Sequence, residues 1–304
     1  MAVTQGRPSG PHVALTFDVD GFTNWIGSLG ATTPGPLSRG EFEHVGLRRV
    51  LALLDGYGIH GTFFVPGSTA VTFPGAIRAI HDAGHEIAHH GWVHEPVTRL
   101  TPAREREVLL RGLDALERIA GARPTGYRAP GWDSSPHTMG FLLEQGFEYD
   151  SSLMGNDFEP YWCRVGDRAS QEDGFAWGTP IPLVEMPIAW HLDDHPYFEH
   201  IEFGGVYNMG LQPPSAVLEV WLSEFDYLCD EVGDGVLVLT LHPQVIGRGS
   251  RLRMLRSLLE AMASRPNVTF TTCADYARAW RAGREPRLPI DGRGADADAR
   301  TEEP

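Results

Sequence analysis

Short apolar runs alternate with amphipathic stretches along most of this chain. Runs rich in Val, Leu, Phe and Thr, most of them ending at a polar residue or Pro, predict strands at 13–18, 61–65, 86–89, 126–129, 147–150, 183–188, 236–241 and 268–271. Between them apolar residues recur at helical spacing, as at Val45, Val50, Leu51 and Leu54. This predicts helices over 41–57, 74–83, 102–120, 136–145, 214–231, 250–264 and 273–280. Gly58, Gly84 and Gly121 stand where a left-handed C-cap is expected, and Thr101-Pro102 and Ser135-Pro136 place an N-cap before a proline in the first turn. Strand followed by helix, repeated without a second core pattern, predicts a single α/β domain, either a barrel or a doubly wound sheet. The polar stretches 1–11 and 283–304 read as disordered tails around a domain of residues 12–282.

Composition narrows the function. The 304 residues are 42% hydrophobic and 21% charged, ordinary for a folded globular chain. Lys plus Arg number 25 against 40 Asp plus Glu, a net charge of −15, which argues against nucleic acid or an anionic membrane as partner. The N-terminal stretch has no apolar run of signal-peptide length and no later stretch reaches the ~20 apolar residues of a span, so a cytoplasmic location is expected. Cys163, Cys229 and Cys273 are odd in number and widely spaced, and are expected as free thiols.

A barrel carries its chemistry at the C-terminal strand ends. The first predicted strand ends with Asp18 and Asp20, whose i, i+2 spacing puts both on one face of an extended chain, where a half-buried strand rarely spends two acids. The third runs into His89-His90-Gly91-Trp92-Val93-His94. His90 and His94 are four apart, the reach of two imidazoles to one metal from a helical turn or a tight loop, although His85 and His89 share that spacing. Two His and one carboxylate leave open positions, as a catalytic ion requires. Arg128 ends the fourth strand, where a guanidinium can hold a carboxylate ionised and oriented. His242 ends the run 236–241, before Pro243.

Asp18 and Asp20, His90-x-x-x-His94, Arg128-x-Pro130 with Trp132, and Leu239-Thr240-Leu241-His242 occur in the order of the motifs of the polysaccharide deacetylase (NodB-homology, carbohydrate esterase 4) family, which the chain resembles over residues 12–282. The commonest family pattern has adjacent aspartates. Here Val19 separates them, and with Trp25, the stretch 150–157 and Trp190-His191-Leu192-Asp193-Asp194 it is similar to the branch containing peptidoglycan-deacetylase-like proteins and cyclic imide hydrolases.

The resemblance implies a distorted (β/α)7 barrel and one divalent ion, zinc first with cobalt, manganese or nickel as alternates, held by Asp20, His90 and His94. Asp18 would be the general base, oriented by Arg128. The backbone N–H of Gly131 or Trp132 would meet the oxyanion, and His242, kept cationic by Asp193 or Asp194, would protonate the departing nitrogen. Trp25, Trp132, Trp162 and Trp190 are candidates for the pocket wall, with core packing as their alternative. The expected activity is hydrolysis of a small amide or cyclic imide, with an N-acetyl-sugar deacetylase as the second reading. A homotetramer is expected as the assembly.

Overall fold

Residues 11–18 are buried almost throughout and make a strand of the sheet with partners on both sides, in a computed structural model that describes residues 8–203 and 205–289. The described strands are β1 (Pro11–Asp18), β2 (Thr62–Val65), β3 (Glu86–His89), β4 (Gly126–Tyr127), β5 (Tyr149–Asp150), β6 (Tyr161–Val165), β7 (Arg168–Ser170), β8 (Gly174–Ala176), β9 (Thr179–Glu185), β10 (Ile201–Phe203), β11 (Val206–Asn208), β12 (Gly235–Leu241) and β13 (Thr269–Thr271). In the main sheet the order is β12-β1-β2-β3-β4-β5-β9-β6. Neighbours from β12 through β9 are parallel, and β6 is added antiparallel at the edge. The (β/α)7 expectation is met by seven parallel strands, but the curled sheet does not close. Toward β12 the ladder gives way to an isolated bridge from Asp193, in the segment after β9, to Thr240.

Strand alternation decides what faces the interior. Val13, Leu15 and Phe17 of β1 pack with Leu47, Val50 and Leu54 of the helix Glu43–Tyr57, in one cluster with Leu237, Leu239 and Leu241 of β12. Fully burying each such side chain contributes roughly 1.5–3 kcal/mol. The opposite parity, Ala14, Phe64, Ala88, Val236 and Val238, shares a second cluster with Val184 and Trp162. Continued upward in steps of two, that parity reaches Asp18 and Asp20, His90, and His242. The fold thus brings these candidate residues to one face of the strand ends.

The helix Pro102–Ala120 has the predicted bounds, with the Thr101 hydroxyl accepting from Arg104 N, and Gly58, Gly84 and Gly121 all have positive φ. Ser135 does not cap as expected. The helix begins at Thr138, and the Ser135 hydroxyl instead accepts from His137 N and donates to Glu105. Of the two expected tails, residues 1–7 and 290–304 lie outside the described residues. Pro11 opens β1, and the Arg284 guanidinium lies 4.3 Å over the Trp280 ring. All three cysteines are free. No helix among the described residues is long and apolar enough to cross a membrane.

Candidate active site

Asp18 and Arg128 form the floor of the site, both buried. Arg128 Nη1 donates to Asp18 Oδ1 at 2.7 Å and to Thr16 Oγ1 at 3.0 Å. Its Nε and Nη2 donate to the carbonyl and hydroxyl of Ser151, each at 2.9 Å, and Phe64 lies 4.0 Å beneath the guanidinium. Burial disfavours the charge of Asp18, but Arg128, backed by His90 and His242, outweighs it and holds the carboxyl below the usual carboxylate range. Asp18 is therefore an ionised acceptor with one oxygen, Oδ2, left facing His90 and His242 at 3.8 and 4.0 Å.

Asp20 is held differently. Its carbonyl accepts from the hydroxyls of Thr23 and Thr69, and burial raises its pKa against the pull of His242 and His90. Its Oδ1 is buried without a hydrogen-bond partner, 3.5 Å from His90 Nε2 and 3.8 Å from His94 Nε2. Both imidazoles present a lone pair there. His90 Nδ1 lies 2.8 Å from the Arg128 carbonyl, which can only accept, so Nδ1 carries the proton. Ser28 Oγ donates to the His94 carbonyl, so at 2.6 Å from His94 Nδ1 it accepts. Burial lowers both imidazoles to about 4, which keeps them neutral at ordinary pH. An orphaned carboxylate oxygen and two free imidazole nitrogens, within 4.8 Å of one another, fit a divalent cation.

The 89–95 stretch is a tight loop and not a helical turn. Gly91 (φ 73°) and His94 (φ 59°) are both left-handed, and Glu95 Oε2 accepts from Trp92 N and Val93 N. Gly27 lets the turn Asn24–Ser28 touch this loop, because a Cβ there would overlap the Val93 carbonyl; this close approach brings Ser28 to His94. The competing pair is elsewhere. His89 Nε2 donates to the Leu109 carbonyl among Tyr127 and Phe147, while His85 Nδ1 accepts from Gly61 N beside His60.

His242 approaches from the other side, with Nε2 3.8 Å from Asp20 Oδ2. Both aspartates attend it, with separate duties. Asp194 accepts from His242 Nδ1 at 2.7 Å and from its backbone N at 3.1 Å, whereas Asp193 lies 3.6 Å from Nδ1 and caps the helix Asp194–Phe198 through His195 N. Burial works against the imidazolium, but the charge of Asp193 and the hydrogen bond to Asp194 outweigh it and lift the pKa well above that of free His. Burial also pushes Asp193 up to about 7, against the pull of His242. Gly46 lets the helix Glu43–Tyr57 abut Pro243, directly after His242.

Three expectations about the wall change. Trp132 N donates to the Ala129 carbonyl at 2.9 Å, which leaves Gly131, at φ 67°, as the candidate oxyanion donor of the two. Trp25 packs into a small cluster with Ala31 and Ile201 under the Arg39 guanidinium, and Trp162 packs on Trp280, the core packing that was the alternative for both. Trp132 and Trp190 stack 4.2 Å apart, with Trp190 47% exposed at the rim. Sequence reasoning gave Ser28, which closes the Trp25 to Ser28 segment, no role, and missed Glu43. Glu43 is buried and accepts from Gly21 N at 3.1 Å, and burial together with Asp20 raises its pKa well above the usual range. Its spacing to Gly46, Leu47 and Val50, the core face of its helix, is the signal that marks it.

This geometry has relatives. The polysaccharide deacetylase profile matches residues 5–149. A peptidoglycan deacetylase of Helicobacter pylori is 36% identical over 277 residues, covering 87% of this chain and 94% of that protein. The chain belongs to the polysaccharide deacetylase family. A peptidoglycan deacetylase-like protein of Gibberella zeae is 31% identical over 90% of this chain and 87% of its own length. A solved Mycobacterium smegmatis structure classed with the polysaccharide deacetylases superposes with a TM-score of 0.81 at 36% identity, covering 94% of this chain and 96% of that one. Membership in this deacetylase family makes the chain a hydrolase of carbon–nitrogen bonds.

Proposed function

We propose that this deacetylase hydrolyses the N-acetyl amide of a peptidoglycan-type sugar, with a divalent ion held by Asp20, His90 and His94. The observation that carries the proposal is the orphaned Asp20 Oδ1 facing two imidazoles whose other nitrogens are already engaged. The relatives are named for peptidoglycan, which favours the N-acetyl sugar over the small amide or cyclic imide that ranked first in the expectation from sequence. Zinc suits a set of two imidazoles and one carboxylate.

When bound, such an ion lowers the pKa of water from ~16 toward ~7 and polarises a carbonyl. The chain's own groups supply the rest. Asp18, kept ionised by Arg128, takes a proton from the attacking water through Oδ2. Gly131 N–H is placed to meet charge on the carbonyl oxygen. His242, kept cationic by Asp193 and Asp194, delivers its Nε2 proton to the leaving nitrogen, which an amide requires because its anion is a poor leaving group. Trp190, stacked on Trp132 at the rim, offers a flat apolar face to a sugar ring.

The test pairs acetate release from N-acetylated glycans with ring opening of succinimide, before and after chelation. Chelator-sensitive acetate release supports the proposal. Imide ring opening without any acetate release would replace it with the imide reading. The homotetramer is proposed alongside, with the exposed Tyr207, Met209 and Leu211 as apolar surface for it, and light scattering at four chain masses checks it.

A further inference from the structure

Behind Arg128 lies a second buried acidic group that the reaction does not touch. Asp150 ends β5 and Glu185 ends β9, register partners across the two parallel strands, both fully buried. Glu185 Oε1 accepts from Ser152 N and Leu153 N, each at 2.9 Å. Asp150 Oδ1 accepts from Ser152 Oγ at 2.7 Å, and that hydroxyl in turn accepts from Ala129 N at 2.8 Å. The two acids therefore fix residues 152 and 153, directly after Ser151, which grips Arg128 by carbonyl and hydroxyl. One atom in this network has no donor, Asp150 Oδ2. An oxygen of each carboxylate lies within 4.8 Å of the other; two acids at that separation in a dry interior disfavour a double charge, and a single proton between them supplies the missing donor.

We infer that Asp150 and Glu185 share one proton, with Glu185 donating to Asp150 Oδ2, and that Glu185 is thereby a positioning residue for the Arg128–Asp18 pair. Burial, opposed by the hydrogen bond between the two acids, lifts Asp150 to about 6, and burial with the charge of Asp150 lifts Glu185 well above the usual range, both in the sense a shared proton requires. The other titratable groups facing the pair are Arg128, Tyr127, and from β6 Tyr161 and Cys163, whose thiol lies 3.6 Å from Glu185 Oε2. Asp150, Cys163 and Glu185 could in outline hold a metal. Burial holds the Cys163 thiol protonated, and both carboxylates already serve N–H and O–H donors, which disfavours one.

Three variants and one spectrum test this. Glu185→Ala strands Ser152 N and Leu153 N, and turnover is expected to fall on the order of 10²-fold with metal at Asp20, His90 and His94 retained. Glu185→Gln supplies the same acceptor and a permanent N–H donor, and is expected to restore turnover to within a few-fold of wild type. Asp150→Asn combined with Glu185→Gln sets two donors against each other and is expected to lose what Glu185→Gln restores. The infrared spectrum of the wild type at neutral pH should contain a protonated-carboxyl stretch that Glu185→Gln removes. That band is independent of the substrate, so it separates failure of this inference from failure of the proposed reaction on which the turnover arm rests. A glutamine variant as impaired as the alanine variant, absence of the band, or a second metal per chain that Cys163→Ser eliminates would each overturn the shared proton.

Discussion

The two walls of the site use the same side chain in opposite states. His90 and His94 turn their Nδ1 atoms to a carbonyl and a hydroxyl, neutral acceptors that orient a ring without charging it, and burial leaves both at about 4. His242 turns its Nδ1 to Asp194 with Asp193 beside it, and the same depth of burial is overcome. What differs is the charge of the partner behind the ring and not the exposure of the ring itself. A neutral imidazole offers a lone pair and a cationic one offers a proton, so the partner on Nδ1 assigns the job of Nε2.

Removing a ligand tests the first wall most severely. His90→Ala is expected to abolish tight metal binding and turnover together while the fold persists; full occupancy by elemental analysis would break the ligand assignment. Asp18→Asn should leave metal content unchanged and cost about 10²–10⁴ in turnover, the range for loss of a general base, read as kcat at saturating substrate. On the second wall, Asp194→Asn withdraws the charge that raises His242. The sign follows directly. A less supported imidazolium loses its proton at lower pH, so the alkaline limb of kcat/KM moves to lower pH while the acid limb stays. An unmoved alkaline limb would mean that His242 is not the acid. The smallest effect is expected of Ser28→Ala, which frees one Nδ1 on the neutral wall and should weaken metal affinity about tenfold, the low end for a group behind a ligand, measured by competition with a chelator.

Most of this site could be read from the sequence because strand parity does the placing. Once β1, β3 and β12 are recognised, Asp18, His90 and His242 must arrive on one face, and the strand ends at 18, 89 and 241 are predicted to the residue. Within 155–212 the sequence marked only the strand at 183–188 and the segment Trp190 to Asp194. β7 and β8 are exposed at every position and so carry no alternation, and β9 begins at Thr179, ahead of the predicted 183, because Pro180 and Pro182 mask a strand whose edge pairing tolerates them. The short helices Pro34–Glu41 and Gly67–Thr72 are too rich in Gly, Pro, Ser and Thr to show a periodic face. The choice between Asp193 and Asp194 was also beyond pattern, since adjacent residues differ only in where the backbone turns, and the turn is a helix cap that Asp193 itself makes.

The gap between β9 and β12 has a consequence for how activity could be lost. Across that seam run the Asp193–Thr240 bridge, the two bonds from His242 to Asp194, and at the far end the bond from Val236 N to the Phe158 carbonyl. The proposed ion-binding trio lies on the continuous side, on the loops after β1 and β3. Local opening of the kind read by amide exchange favours places with few ladder bonds, and here it would part His242 from its carboxylates while leaving Asp20, His90 and His94 together. On the proposed assignment the protein would fall silent with its ion still bound, and metal content would report a healthy enzyme in a population that has stopped turning over.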